Sequence, residues 1–254
     1  MSSAVASLDA RLRTIASFVR QGARLADIGC DHGYLVCALA RDGWIKSGLA
    51  CDVNEKPLGQ ARREIERQSL EDKIACRLGD GLSVVDEGEV DDIVIAGMGG
   101  ETIAEILSSC KWKELAAKRF LLQPMTRAPF LRHWLCTHGF GIMAERACVC
   151  GDHAYTVMQV HYTGARCKLG EYDLYCYAGE LTCDASMEAK RFLNRAVSAL
   201  RKQESGIEKS DPVHVGALRR LVNKLVRVAD GAGWHDAFAA APGAGKPHPL
   251  FPGG

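Results

Sequence analysis

Apolar residues along the first two thirds of the chain fall into short runs separated by amphipathic stretches, and the period of each stretch predicts its element. Leu8, Leu12, Ile15, Ala16 and Val19 recur at helical spacing behind Ser7, a suitable cap, so an opening helix is expected. Strands at 24–28, 47–51, 73–78, 91–96 and 119–123 then alternate with helices at 34–42, 55–68, 100–109 and 127–138. Such alternation implies a parallel sheet with right-handed crossovers. The next two runs, Phe140 to Val149 and Ala154 to Tyr162, are joined only by Cys150-Gly151-Asp152-His153. So short a connection permits a hairpin and forbids a parallel crossover.

From residue 168 the pattern becomes helical. Ala189, Phe192, Leu193, Ala196, Val197 and Leu200 form one stripe, and Leu218, Leu221, Val222, Leu225 and Val228 another. Ser205-Gly206 and Asp211-Pro212 between them read as a stop and a new start, giving two antiparallel helices. Residues 231–254 hold six glycines and four prolines, the composition of a disordered tail. The expected division is a sheet-bearing unit over 1–165, a helical appendage over 166–230 and a tail over 231–254.

Composition narrows the class. The 254 residues are 47% hydrophobic and 25% charged, ordinary values for a globular protein able to bury a full core. With no apolar run of membrane-spanning length and no basic-then-apolar leader, the expected location is the cytoplasm, with no membrane partner. Eleven cysteines are scattered without C-x-x-C spacing, as buried thiols in a reducing compartment would be. Cys148-Val149-Cys150 near His153 suggests packing on one strand face, and no metal is expected. The net charge is only +1, yet residues 184–230 carry ten Lys and Arg against six acids. A polyanion would meet the protein there, unless that face is merely solvated.

The candidate chemistry lies at the predicted strand ends. Asp27-Ile28-Gly29-Cys30-Asp31-His32-Gly33-Tyr34 runs from the first strand into a glycine turn, Asp52 and Val53 follow the second strand, and Asp80-Gly81 the third. In a doubly wound sheet the first turn holds the middle of a nucleoside-bearing ligand and the acid after the second strand grips its ribose. A dinucleotide requires G-x-G-x-x-G, and here Asp31 fills the second glycine position with a negative charge that would face a phosphate. The sulfonium and α-amino group of S-adenosylmethionine suit an acid-rich turn instead. A nicotinamide or flavin dinucleotide, or no small ligand, are the alternatives. Gly97-Met98-Gly99-Gly100 after the fourth strand should line the acceptor site. The [DNS]-P-P-[YFW] loop of enzymes that methylate exocyclic amines is absent, whereas a ring nitrogen such as adenine N1 already presents its lone pair and needs orientation more than activation.

In these motifs the chain resembles the bacterial tRNA (adenine(22)-N1)-methyltransferase family. The resemblance rests on Leu8-x-x-Arg11-Leu12-x-x-Ile15-Ala16, Ala26-Asp27-Ile28-Gly29 with Asp31-His32 and Tyr34-Leu35, Arg77 to Leu82, Ile95 to Gly100, Leu122-Gln123-Pro124 and Leu131-Arg132-x-Trp134-Leu135. It implies a Rossmann-like class I methyltransferase sheet, mostly parallel with a terminal antiparallel hairpin, plus a small C-terminal helical hairpin that helps hold tRNA. It also implies methyl transfer from S-adenosylmethionine to N1 of a flipped tRNA adenine, position 22 in the D-arm region. Another RNA position, a small-molecule or protein acceptor, or a non-catalytic RNA-binding protein are the rival readings. Cys30, Gly33, Val36 and Met125 depart from the serine, alanine, proline and asparagine usual in the family.

The expected cofactor contacts are Asp27, Gly29, Cys30, Asp31, His32, Gly33, Tyr34, Asp52, Val53, Asp80, Gly81, Gly97 and Met98. Asp31, Met98 and Gly99 are the catalytic candidates. Arg11, Arg13, His32, Gln123, Tyr155, Arg191, Arg195, Arg219 and Arg220 are the candidates for RNA. The protein is expected to act as a monomer.

Overall fold

The computed structural model describes residues 3–207 and 212–231, so the glycine-rich tail beyond 231 and the start signal at Asp211 lie outside the described residues. Its order is α1 (Ser3–Ala6), α2 (Ala10–Ala16), β1 (Arg24–Ile28), α3 (Tyr34–Arg41), β2 (Ser47–Asp52), α4 (Glu55–Arg67), β3 (Ile74–Leu78), β4 (Asp92–Gly99), α5 (Gly100–Ser108), β5 (Arg119–Thr126), α6 (Ala128–Thr137), β6 (Phe140–Cys150), β7 (His153–Tyr162), α7 (Leu174–Ala178), α8 (Met187–Ile207) and α9 (Pro212–Ala229). The opening helix is broken in two, and its second half is capped by Asp9 rather than by Ser7, the Asp9 carboxylate accepting from the Leu12 amide at 2.8 Å. β4 and β5 run past their expected ends, so Gly97-Met98-Gly99 and Pro124-Met125 are strand rather than loop.

Seven strands form one sheet in the order β3-β2-β1-β4-β5-β7-β6. The first five pair in parallel, and β7 is antiparallel to both β5 and β6. Because successive strand residues face opposite sides, the sheet feeds two cores. Leu25, Val94 and Leu121 pack under α2, α3 and α4 with Ile15, Leu39 and Leu58. Ile93, Ile95, Phe120 and Leu122 pack under α5 and α6 with Ile103, Leu131 and Leu135. A third core joins α8 and α9 through Leu193, Val197, Leu200, Leu218, Leu221 and Leu225, the two stripes read from the pattern.

The appendage is fastened to the sheet by a buried ion pair. Arg132 of α6 and Glu145 of β6 are fully buried, 2.6 Å apart. Arg132 also donates to the backbone oxygens of Cys176 and Tyr177 in α7. Glu145 accepts from the Thr156 hydroxyl and the Glu180 amide. Gly179 has no room for a side chain beside this pair, since a Cβ there would meet Glu145 Oε2 at 2.1 Å. Cys136 and Cys167 also come together, their Cα atoms 5.5 Å apart and within reach of a bridge, against the expectation of separate thiols. Among the described residues no helix is long and apolar enough to cross a membrane, and no cluster of metal-ligating side chains occurs.

Candidate active site

The strand order reverses between β1 and β4, and at the carboxyl ends beside that point lies a cavity of about 800 Å³. That is where an open α/β sheet offers a crevice to a ligand. The turn after β1 is tied to β2, the amides of Gly29 and Cys30 both donating to the Cys51 carbonyl at 2.8 and 3.0 Å. Gly29 adopts φ +72°, which favours glycine, and the Met98 methyl packs 2.1 Å from where its Cβ would lie. Asp31 holds φ +51°, an uncommon conformation for a residue other than glycine, and its carboxylate stands at the mouth with 72% side-chain exposure. His32 stacks on Tyr34 with ring centroids 5.2 Å apart. Its Nδ1 lies 2.9 Å from Asp31 yet off the hydrogen-bond direction, leaving that nitrogen without a donor or acceptor contact.

Six acids line the cavity, Asp9, Asp27, Asp31, Asp52, Asp80 and Glu105, against Arg11 as the one Lys or Arg among the described lining residues. Asp52 is oriented by backbone, its two oxygens accepting from the amides of Asn54 at 2.9 Å and Asp31 at 3.3 Å. A carboxylate held this way keeps lone pairs free for two adjacent hydroxyls. Burial pushes the Asp27 carboxyl up to about 7; Arg11 opposes the rise and Asp52 adds to it. Burial likewise drives the Cys30 thiol far above its ordinary range, with Asp27 and Asp52 adding, so this cysteine is no nucleophile.

The opposite wall comes from β4 and β5. Their pairing slips on both sides of Met98, and the slip lets Gly97 take φ +78° and turn its amide inward. Gln123 receives that amide on Oε1 at 3.1 Å, and the same oxygen accepts from Arg11 Nη1 at 3.1 Å. The Gln123 amide nitrogen donates to the Pro124 carbonyl and approaches Met125 Sδ at 3.7 Å. Met98 and Met125 therefore flank the wall with thioethers, and Arg11 enters the cavity from α2.

The structure gathers most of the expected cofactor set: Asp27, Gly29, Cys30, Asp31, His32, Tyr34, Asp52, Val53, Asp80, Gly81, Gly97 and Met98 line one cavity. Gly33 stands behind it as the backbone cap of α3. Gly99 ends β4 beside Thr126, outside the lining. Gln123, expected to face RNA, is instead fully buried with its amide engaged, because β5 continues through it and turns its side chain under Gly97. Arg11, expected as an RNA contact, points into the cavity with 22% side-chain exposure. Arg13 is exposed and bonds the Leu8 carbonyl. Tyr155 is half-buried against the first core, away from the cavity. Arg191 and Arg195 reach back to the Gly151 and Asp152 carbonyls of the β6–β7 turn, Arg219 pairs with Glu204, and Arg220 is exposed on α9. Asp9, Leu12, Thr102, Glu105, Ile106 and Ser109 also line the cavity, outside the set expected from sequence; only the helical spacing that places Asp9 and Leu12 beside Arg11 hints at two of them.

Comparison with known proteins agrees with this geometry. The pattern of a family described as a methyltransferase domain matches residues 8–158. The tRNA (adenine(22)-N(1))-methyltransferase of Bacillus subtilis (strain 168) is 39% identical over 138 residues, which cover 54% of this chain and 58% of that protein. A candidate tRNA (m1A22) methyltransferase from Streptococcus pneumoniae, solved in complex with S-adenosyl-L-methionine, is 34% identical with a TM-score of 0.70, covering 86% of this chain and 98% of that one. The TrmK of M. capricolum, solved with S-adenosyl-homocysteine, is 26% identical with a TM-score of 0.72, covering 88% of this chain and 98% of that one. The chain belongs to the methyltransferase-domain family and, within it, to the tRNA (adenine(22)-N1)-methyltransferase family.

Proposed function

We propose that the protein transfers a methyl group from S-adenosylmethionine to N1 of adenine 22 in tRNA. The observation that carries this reading is the charge of the cavity, six acids against one arginine, set at the switch point of the sheet. A diphosphate would be repelled there and a ligand with a sulfonium and an ammonium attracted. The fit extends to shape. Asp52 is aimed by two amides toward a diol, Asp80 and Gly81 stand together at the third strand end for an adenine edge, and Gly29 admits the Met98 side chain to the cavity wall. The cofactor, when bound, supplies an electrophilic methyl group.

The residues of the chain supply orientation. Gln123 holds Gly97 turned inward, and Gly97 and Met98 form the wall against which a planar base is set. The base must leave its stack to arrive, at a cost of a few kcal/mol that contacts with the protein offset. Attack by N1 creates a cation without prior loss of a proton, so no strong base is needed, and Asp31 at the mouth stabilises the positive ring. The sheet unit to about residue 165 performs the chemistry. The appendage over 166–230, with Arg191, Arg195, Arg219 and Arg220, supports the RNA. The protein works as a monomer in the cytoplasm.

Incubation with S-adenosylmethionine and an unmodified tRNA transcript, followed by mapping of reverse-transcription stops, tests the reading. A new stop at adenine 22 is the expected result. A stop elsewhere reassigns the position, and no methylation of tRNA overturns the proposal.

A further inference from the structure

A single exposed aromatic side chain on a globular surface needs no explanation. Phe130 is different because of what surrounds it. α6 buries Ala128, Leu131 and Leu135, and leaves Phe130 on its outer side, 37% exposed, one turn from the carboxyl end of β5. That strand end is part of the acceptor wall. Met125 lines the cavity and is itself 40% exposed, and Thr126 pairs in register with Gly99. Arg127 then takes φ +58°, an uncommon conformation for an arginine, and its carbonyl packs on Gly100 so closely that a Cβ there would lie 2.6 Å away. The corner is thus held rigidly against the glycine-rich end of β4.

The side chain of Arg127 is turned outward over this corner. Its guanidinium stands over the Phe130 ring, 6.0 Å from the centroid, at the far limit of a cation–π contact, and the ring remains 37% exposed. Its only charge partner among the described residues is Glu101, reached at 3.0 Å with both side chains more than half exposed. A surface pair of that kind contributes little and yields readily to a stronger anion. A partly exposed aromatic ring, a thioether and a guanidinium held only by a surface pair therefore sit together on the rim that an RNA strand passes to place one base in the cavity. Single-stranded nucleotides are recognised by this pairing of a stacking face with a cation for the phosphate.

Resting on the reading of the protein as a tRNA methyltransferase, we propose that Phe130 and Arg127 form a nucleotide platform: the base next to the flipped adenine stacks on Phe130, and a flanking phosphate replaces Glu101 on Arg127.

The test uses the full chain, with tRNA binding and methylation kinetics measured for Phe130→Ala, Phe130→Leu, Phe130→Tyr and Arg127→Gln, and S-adenosylhomocysteine calorimetry as the control for an intact fold. Phe130→Ala and Phe130→Leu should each weaken tRNA binding about tenfold, the size of one lost stack, while Phe130→Tyr stays within about twofold of wild type. Arg127→Gln should lower the slope of log affinity against log salt by about one phosphate contact. S-adenosylhomocysteine affinity should be unchanged in all four. If Phe130→Leu binds tRNA like wild type, or Phe130→Tyr is as weak as Phe130→Ala, with cofactor-product affinity retained, the platform is overturned while the methyltransferase reading stands. A wild-type protein that neither binds nor methylates tRNA overturns both.

Discussion

Buried carboxylates are treated in opposite ways at two places in this molecule. At the joint between sheet and appendage, Glu145 meets a guanidinium, a hydroxyl and a backbone amide, so its charge is fully answered within the chain. In the cavity, Asp27 is equally buried, yet among the described residues only the charge of Arg11 opposes a carboxyl pushed up to about 7, and Asp52 stands close by. Answered charge holds structure together; unanswered charge attracts a cation from outside. The contrast separates residues that serve the fold from residues that serve a ligand.

The largest effect should come from breaking the answered pair. Arg132→Met leaves Glu145 buried without its counter-charge, which should lower stability by roughly 3–5 kcal/mol, read from urea unfolding midpoints. Replacing both partners with apolar residues should recover much of that loss; if the double variant is no better than the single, the joint is not governed by charge.

In the cavity the loss should fall on binding instead. Asp52→Ala should weaken S-adenosylhomocysteine by about ten- to a hundredfold in calorimetry, the worth of hydrogen bonds to a charged group, with the unfolding midpoint hardly moved. A large drop in stability with binding intact would erase the distinction between the two sites.

Asp27 offers a sharper version, because its raised pKa makes it a cost in the free protein. Protonated Asp27 is favoured in the folded state, so native stability tied to this group is fully present below its ordinary pKa of 3.8 and is lost as pH rises through about 7. Asp27→Asn should therefore match wild type near pH 4 and become progressively more heat-stable than wild type up to pH 8, while binding S-adenosylhomocysteine less well. Equal melting temperatures at pH 8 would contradict a buried, unanswered carboxylate. The smallest effect is expected on the appendage: Arg220→Ala should reduce the salt slope of tRNA binding by about one contact and leave cofactor-product affinity unchanged.

Strand periodicity makes the sheet and its acids legible. A strand of five or six residues ends where its apolar run ends, so the pattern alone puts Asp52 and Asp80 at strand termini, and parallel order brings those termini to one edge. The period of the C-terminal stripes likewise locates α8 and α9. What periodicity does not reveal is how elements meet across the fold. Arg11 has the spacing of an ordinary exposed helical residue, and only the docking of α2 over the sheet turns it toward Gln123, 112 positions away. Gln123 closes the expected strand, where a polar residue reads as solvent-facing, and only the continuation of β5 to Thr126 beside the bulge of β4 buries it. The Arg132–Glu145 pair joins residues from different elements to backbone of α7, a short helix with no amphipathic signal of its own.

The single oxygen of Gln123 that accepts from both Gly97 and Arg11 couples the front of the chain to the floor of the acceptor wall. Any pull on the opening helix travels through one shared atom to the bulge, and any shift of the bulge is felt at the helix. The chain thus carries a tether that links its amino-terminal helix to the spot where the wall of the cavity bends.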